Sequence, residues 1–202
     1  MFALVDKSNN SITKMLNGNR GITLNDLQYP RAIYTLWSEA ERNAINIYEV
    51  EIDKTNYKNE NWFINTDITY SFDGTNVTGS YGTATAKAHA DTLWTAQDET
   101  DGKGTEGEVA TRGLKYNLIQ TVKAQAAGLL AETDWYITRK SEKNTAIPSA
   151  ITTHRNAVRS KQAAMETAIT NASDTAALET LYTATKQDDG TVARPLGQLP
   201  TL

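Results

Sequence analysis

The residues most able to do chemistry in this chain lie between positions 98 and 108. Gly102-x-Gly104-x-x-Gly107 matches the letters of a dinucleotide-binding loop, and Asp98, Glu99, Asp101, Glu106 and Glu108 surround it. The physics of phosphate binding does not follow from these letters. No strand is expected before the glycines, and five carboxylates would repel a pyrophosphate. As a calcium loop counted from Asp98 the segment also fails: position 6 is Lys103 instead of glycine, and position 12 is Val109 instead of glutamate. The two histidines, His89 and His154, stand far apart in sequence, and there is no cysteine, so thiolate zinc sites, disulfides and cysteine nucleophiles are excluded. His154 precedes Arg155 in a helical stretch and reads as a surface or interface histidine. No Gly-x-Ser-x-Gly elbow supports a serine nucleophile. Carboxylates are abundant, but none is singled out as half of a glycosidase pair. The expectation is a non-enzymatic protein, with no catalytic residue, no cofactor and no metal.

What the spacing does single out is ionic. Arg155 and Arg159 are four residues apart and share a helical face, and Asp134 lies across a bend from them. The plain reading is a salt bridge that fastens two helices; the sharper one is a contact to another subunit.

The elements that must position these residues follow from periodicity. Leu114, Leu118, Val122, Ala126 and Leu129/Leu130 recur at three- and four-residue steps, predicting one amphipathic helix from about Ala110 to Lys140. Ala124, Ala126, Ala127 and Gly128 would let a partner helix approach closely. Pro148, taken as a first-turn residue, opens a returning antiparallel helix whose Ile151, Val158 and Met165 repeat at seven, extended by Ala168 and Ile169. Asp174 can cap a third, short helix carrying Leu178 and Leu181.

Ahead of this hairpin the chain reads as strands. Phe2–Val5 and Ile12–Leu16 flank the turn-forming Ser8-Asn9-Asn10. Leu27–Trp37 is rich in aromatics, and its Tyr34 and Trp37 are expected in a small core. Ser38 with Glu41 fits a capping box for a short helix at about 39–44. Ile45–Ile52 is a strand whose alternation slips once, as a bulge would make it. Ile68–Phe72 and Val77–Tyr81 flank Asp73-Gly74, a strong hairpin turn. Thr83–Ala90 leads into an expected helix with Ala86, Ala90, Leu93 and Trp94 on one face.

The fold class is therefore α+β: a small, mainly antiparallel β module (1–85), a helix and acidic Gly-rich connector (86–109), an antiparallel α-helical hairpin with a short third helix (110–185), and an extended C-terminal tail (186–202). Over 202 residues the hydrophobic fraction is 39% and the mean hydropathy −0.51, so the cores are small and much surface is left to water or partners. A net charge of −4 argues against a non-specific grip on a nucleic-acid backbone. No apolar run approaches the ~20 residues of a membrane helix. Met1–Val5, followed at once by Asp6, does not read as a signal peptide.

Two parts of the chain carry a family look. Leu129-Leu130-x-x-Thr133-Asp134-Trp135, then Ile147-Pro148, then Arg155-x-x-x-Arg159, is similar to the helical hairpin at the C-terminal end of tailed-bacteriophage tail proteins, of the tail-fibre-assembly and minor tail or baseplate types. Tyr29-Pro30, Ile33-Tyr34, Trp37, Glu41 and Ile45-x-Ile47-Tyr48-Glu49-Val50 resemble the leading β module of marine phage virion proteins of that class. The chain departs from the pattern in its acidic connector, in Thr138-Arg139-Lys140 and in continuing well past the arginines. The resemblance implies a structural component of the tail, baseplate or fibre-attachment region, made in the host bacterial cytoplasm, carried in the virion, and assembled from several copies with other tail proteins. An assembly chaperone absent from the particle stays open beside it, and a tail-associated glycan hydrolase more remotely. The interface residues it implies are Trp135, Asp134, Pro148, Arg155, Arg159, Tyr34 and Trp37.

Overall fold

The computed structural model describes residues 1–202 and has an α+β fold divided into two compact units, Met1–Thr85 and Ala86–Leu202. In the first unit β1 (Phe2–Asp6) and β2 (Ser11–Leu16) form an antiparallel hairpin. A second, smaller hairpin joins β3 (Ile22–Leu24) to β4 (Leu27–Tyr29). One 3-10 turn (Arg31–Tyr34) and the helix α1 (Glu39–Ala44) follow. Then come β5 (Ile47–Asp53), the two-residue β6 (Phe63–Ile64), β7 (Ile68–Phe72) and β8 (Val77–Tyr81), with the short β9 (Thr85–Ala86) at the boundary.

The main sheet runs β2-β1-β5-β8-β7. All its pairings are antiparallel except β5 with β8, which lie parallel, Val50 opposite Val77. Parallel neighbours need a long connection between them, and residues 54–76, carrying β6 and β7, supply it. The edge strands β2 and β7 touch, so the sheet curls around a core of Ala3, Val5, Tyr48, Val50, Phe72 and Val77. Its other face, at the β1–β5 end, is covered by a second cluster of Phe2, Leu16, Ile33, Tyr34 and Ile47. This explains the slip in β5. Ile47 and Tyr48 are neighbours that point to opposite faces, and both faces are buried there, so no bulge is present in β5. The strand turns out of α1 through Asn46, whose φ of 62° places it in the left-handed region that asparagine tolerates.

Local signals hold in this unit. The Ser38 hydroxyl accepts from the Glu41 amide while the Glu41 carboxylate accepts from the Ser38 amide at 2.7 Å, the reciprocal cap of α1. At the β7–β8 turn Gly74 has φ 98°, and the Asp73 carboxylate accepts from the amides of Thr75 and Asn76 at 2.8 and 2.7 Å.

The second unit opens differently from the expected helix over 86–94. That stretch is non-helical, bending at His89 and Ala90, and β10 (Thr92–Leu93) pairs with β11 (Val109–Thr111). The β-branched Thr85 and Thr92 sit in the short strands β9 and β10, whose pairing outweighs the helix preference of the alanines between them. Between the two strands sits α2 (Ala96–Thr100), capped by Thr95 and Asp98 in a second reciprocal box. The acidic connector is thus a folded excursion of a hairpin. Trp94 holds it: its amide donates to Glu108 O, its carbonyl accepts from Gly107 N, and Gly104 lies directly against its indole.

The long helix is also two helices, α3 (Leu114–Ala131) and α4 (Asp134–Lys143). Next come α5 (Ser149–Asn171) and α6 (Thr175–Tyr182). Pro148 is the residue before α5, with φ −55° and ψ 139°, so it stands one place outside the first turn. Helices α3 and α5 pack antiparallel: Lys115 Nζ at the start of α3 donates to Thr170 O near the end of α5, and Leu130 at the end of α3 meets Arg155 near the start of α5. Val122 and Ala126 on α3 and Ile151, Val158, Met165 and Ile169 on α5 are buried. Ala126 alone of the small residues serves this packing; Ala124, Ala127 and Gly128 are exposed. Asp174 caps α6, accepting from Ala177 N at 2.8 Å, and Leu178 is fully buried. The C-terminal segment folds back instead of extending: β12 (Thr185–Lys186) pairs with β13 (Val192–Ala193), Leu196 is buried, and its amide donates to Leu181 O. No helix is long and apolar enough to cross a membrane.

Candidate functional site

The corner between α3 and α4 is built by one side chain from α5. Arg155, 7% exposed, donates through Nη1 to Leu130 O and to Thr133 Oγ1, both at 2.7 Å, and pairs with Asp134 Oδ1 at 2.9 Å. The Thr133 hydroxyl in turn donates to Leu130 O at 3.0 Å. A helix C-terminus leaves carbonyls without intrahelical partners and carries partial negative charge. A buried guanidinium here adds a charged donor to one of them, Leu130 O, beside the Thr133 amide and hydroxyl, and the chain turns at Thr133, whose φ of −115° is outside the helical range. This is why the expected single helix is broken.

The corner sends α4 outward. None of its ten residues is buried, although it carries Trp135, Tyr136 and Ile137. Trp135 is 52% exposed. Its ring lies 3.8 Å from that of Tyr136, centroid to centroid, and the Arg139 guanidinium stands 4.7 Å from Trp135 and 5.1 Å from Tyr136. Arg139 Nε is shielded from water by these rings and has no hydrogen-bond partner. The helix ends at Asn144, left-handed at φ 52°, with its amide on Lys140 O. The result is an exposed aromatic platform with a cation laid on it, an arrangement that favours contact with another surface.

Of the residues singled out in the sequence, Asp134, Trp135 and Arg155 come together at this corner. Pro148 starts the helix that brings Arg155 there. Arg159 does not join them; it is exposed and lines a groove of about 710 Å³ with Leu130, Gln162, Ala163 and Glu166. Tyr34 and Trp37 belong to the first unit. Tyr34 is buried against Phe2 at 4.9 Å, and that burial raises its phenol above the ordinary tyrosine range. Trp37 is half-buried, edge-on to Tyr29 at 5.8 Å. A cavity of about 470 Å³ opens beside Tyr34, its wall carrying Lys14 and Arg20 but no carboxylate.

His154 corrects the sequence reading: it is buried, not at the surface, and its Nε2 has no hydrogen-bond partner. Ile151, His154, Arg155 and Val158 follow the i, i+3, i+4, i+7 pattern of one helical face, so the signal for its burial was present. Two further residues went unremarked in the sequence. Arg42 is buried in the first unit, pairing with Glu49 at 3.3 Å and lying over the Phe2 ring. Asp91 accepts from Gly113 N at 2.8 Å and from Arg112 Nη1 at 2.6 Å, and these bonds, the backbone one foremost, hold its carboxyl below the usual range.

In the acidic hairpin, Lys103 reaches Asp98 at 3.0 Å and Asp101 at 3.1 Å, while Glu106 and Glu108 form no ion pair. No group of three His, Asp or Glu side chains is arranged to hold a metal ion. No protein-family model matches the chain, and no curated protein sequence and no solved structure matches it.

Proposed function

We propose that the protein is a non-enzymatic structural component of a bacteriophage tail, in the tail, baseplate or fibre-attachment region, working through assembly with other tail proteins and with copies of itself. It would be made in the host bacterial cytoplasm and carried in the virion. One observation carries the assembly part of this reading: α4 presents Trp135 and its aromatic and cationic neighbours to solvent and buries no residue within its own chain. A ten-residue helix has little stability of its own in water, so a helix with aromatic side chains and few contacts suits one completed by a partner. The similarity of Leu129–Trp135, Ile147-Pro148 and Arg155/Arg159 to phage tail hairpins supplies the tail part.

Proteomics of purified virions tests the proposal. A tail component is found in washed particles at a fixed ratio to other tail proteins. Presence in infected cells but absence from particles would overturn the structural role in favour of an assembly chaperone. Turnover of host polysaccharide by the isolated protein, abolished by a single carboxylate substitution, would overturn the non-enzymatic reading.

A further inference from the structure

We infer that the exposed face of α4 is the head of a head-to-tail contact, and that its occupant is the acidic β10–β11 hairpin of a second copy of this chain. The inference goes beyond the tail reading and holds whatever particle the chain serves.

The face is defined by helical spacing. Trp135, Arg139 and Lys143 lie one turn apart along one row, with Tyr136 and Lys140 beside them. It therefore has an aromatic centre and three cations; Glu142 at its edge is the one opposing charge. Lys140 and Lys143 are exposed and make no ion pair within the chain.

The chain carries the complementary surface. On the β10–β11 hairpin Leu93 sits opposite Val109, and the two are 49% and 37% exposed, an apolar pair open to solvent. Glu106 and Glu108 stand exposed on the same hairpin, Glu108 directly before Val109 in the chain. Lys103 pairs with Asp98 and Asp101, so Glu99, Glu106 and Glu108 are the acids of the hairpin left without a counter-charge. An apolar centre with a negative rim thus matches an aromatic centre with a positive one, the arrangement that selects a partner and fixes its register.

The two surfaces cannot satisfy each other within one molecule. The hairpin ends at Thr111, just before α3 begins, and α4 starts just after α3 ends. An 18-residue helix spans about 27 Å, so the surfaces lie at its opposite ends. Different patches at opposite ends of one chain give a heterologous contact, which repeats into a ring or a filament instead of closing as a two-fold dimer.

Sedimentation velocity of the full chain over a range of concentrations tests this. The wild type is expected to associate, and added salt is expected to weaken the association, because the rim is ionic. Lys140→Glu with Lys143→Glu, and separately Glu106→Lys with Glu108→Lys, should each weaken it by roughly tenfold or more. All four side chains are exposed, so both variants should keep the wild-type circular dichroism. Mixing them should restore association, since each then meets the opposite charge on the other. A wild type that stays monomeric at every concentration overturns the inference. So does association that neither reversal weakens, or a mixture that associates no better than its parts.

Discussion

Arg155 and Asp134 pair at 2.9 Å across the α3–α4 corner, yet they contribute to it unequally. The arginine side chain is 8% exposed and the aspartate 61%. The same guanidinium nitrogen also serves Leu130 O and Thr133 Oγ1. Removing the arginine takes the charged donor from a helix-end carbonyl and a buried hydroxyl, which keep only the bonds among Thr133 and Leu130, while removing the aspartate's charge ends one solvent-screened pair. Arg155→Met is therefore expected to cost about 2–4 kcal/mol, and Asp134→Asn under about 1 kcal/mol. Urea denaturation of both variants checks the difference, and equal losses would show that the ion pair, not the helix-end bonds, holds the corner.

Trp135 separates stability from assembly. With half its surface in water and its ring resting on Tyr136 and Arg139 of the same helix, Trp135→Ala should change unfolding free energy by about 0–1 kcal/mol. Burial between the helices would instead make the loss ~3–5 kcal/mol. Denaturation and sedimentation on the one variant give both answers: the expected pair of results is near-native stability with weakened association.

These two residues also show what could be read in advance. The ion pair was legible because Asp134 and Arg155 carry opposite charges on segments that the proline-marked return brings side by side; that Arg155 and not Arg159 meets the aspartate was not. Also legible were the cap of α1 and the Asp73-Gly74 turn, whose chemistry lies within four neighbouring residues. The break in the long helix was not, because the cause is Arg155, contributed from a helix that comes back later in the chain. The non-helical stretch before Trp94 was missed for the same reason: alanines locally favour a helix, and the pairing that overrides them comes from Val109–Thr111. The exposure of α4 was hidden for another reason. A sequence shows that Trp135 and Tyr136 are apolar but not whether the fold leaves anything to cover them.

Gly104 tests whether the acidic excursion is folded onto Trp94. A Cβ at this position would overlap the Trp94 indole, so the ring or the loop must move. Gly104→Ala should destabilise the second unit by about 1–3 kcal/mol and alter the near-ultraviolet circular dichroism of tryptophan. Gly102→Ala is the contrast: a Cβ there meets nothing within 4 Å, so although its φ of 73° makes the change cost stability through backbone strain, the tryptophan spectrum should stay as it is. A spectrum unchanged in the Gly104 variant would mean that the loop is not seated on the indole.

The same excursion should carry an acid-sensitive cap. Asp98 is held at a pKa of about 2, below the ordinary 3.8, first by the hydrogen bond that Thr95 Oγ1 donates at 2.7 Å, then by the Thr95 amide and by Lys103. Because the folded value is the lower one, the unfolded chain takes up the proton first. The stabilisation is complete well above the ordinary 3.8 and is lost as the pH falls through that value and on through about 2. Carboxyl chemical shifts followed by NMR should place the Asp98 midpoint near 2. Thr95→Val removes the leading hydrogen bond together with the acceptor for the Asp98 amide, so it should move the midpoint toward the ordinary aspartate range and fray α2. Lys103→Met should move it less, since the lysine ranks below both Thr95 contacts. A larger shift from the lysine variant would mean that the ion pair, and not the reciprocal cap, sets the charge on this turn.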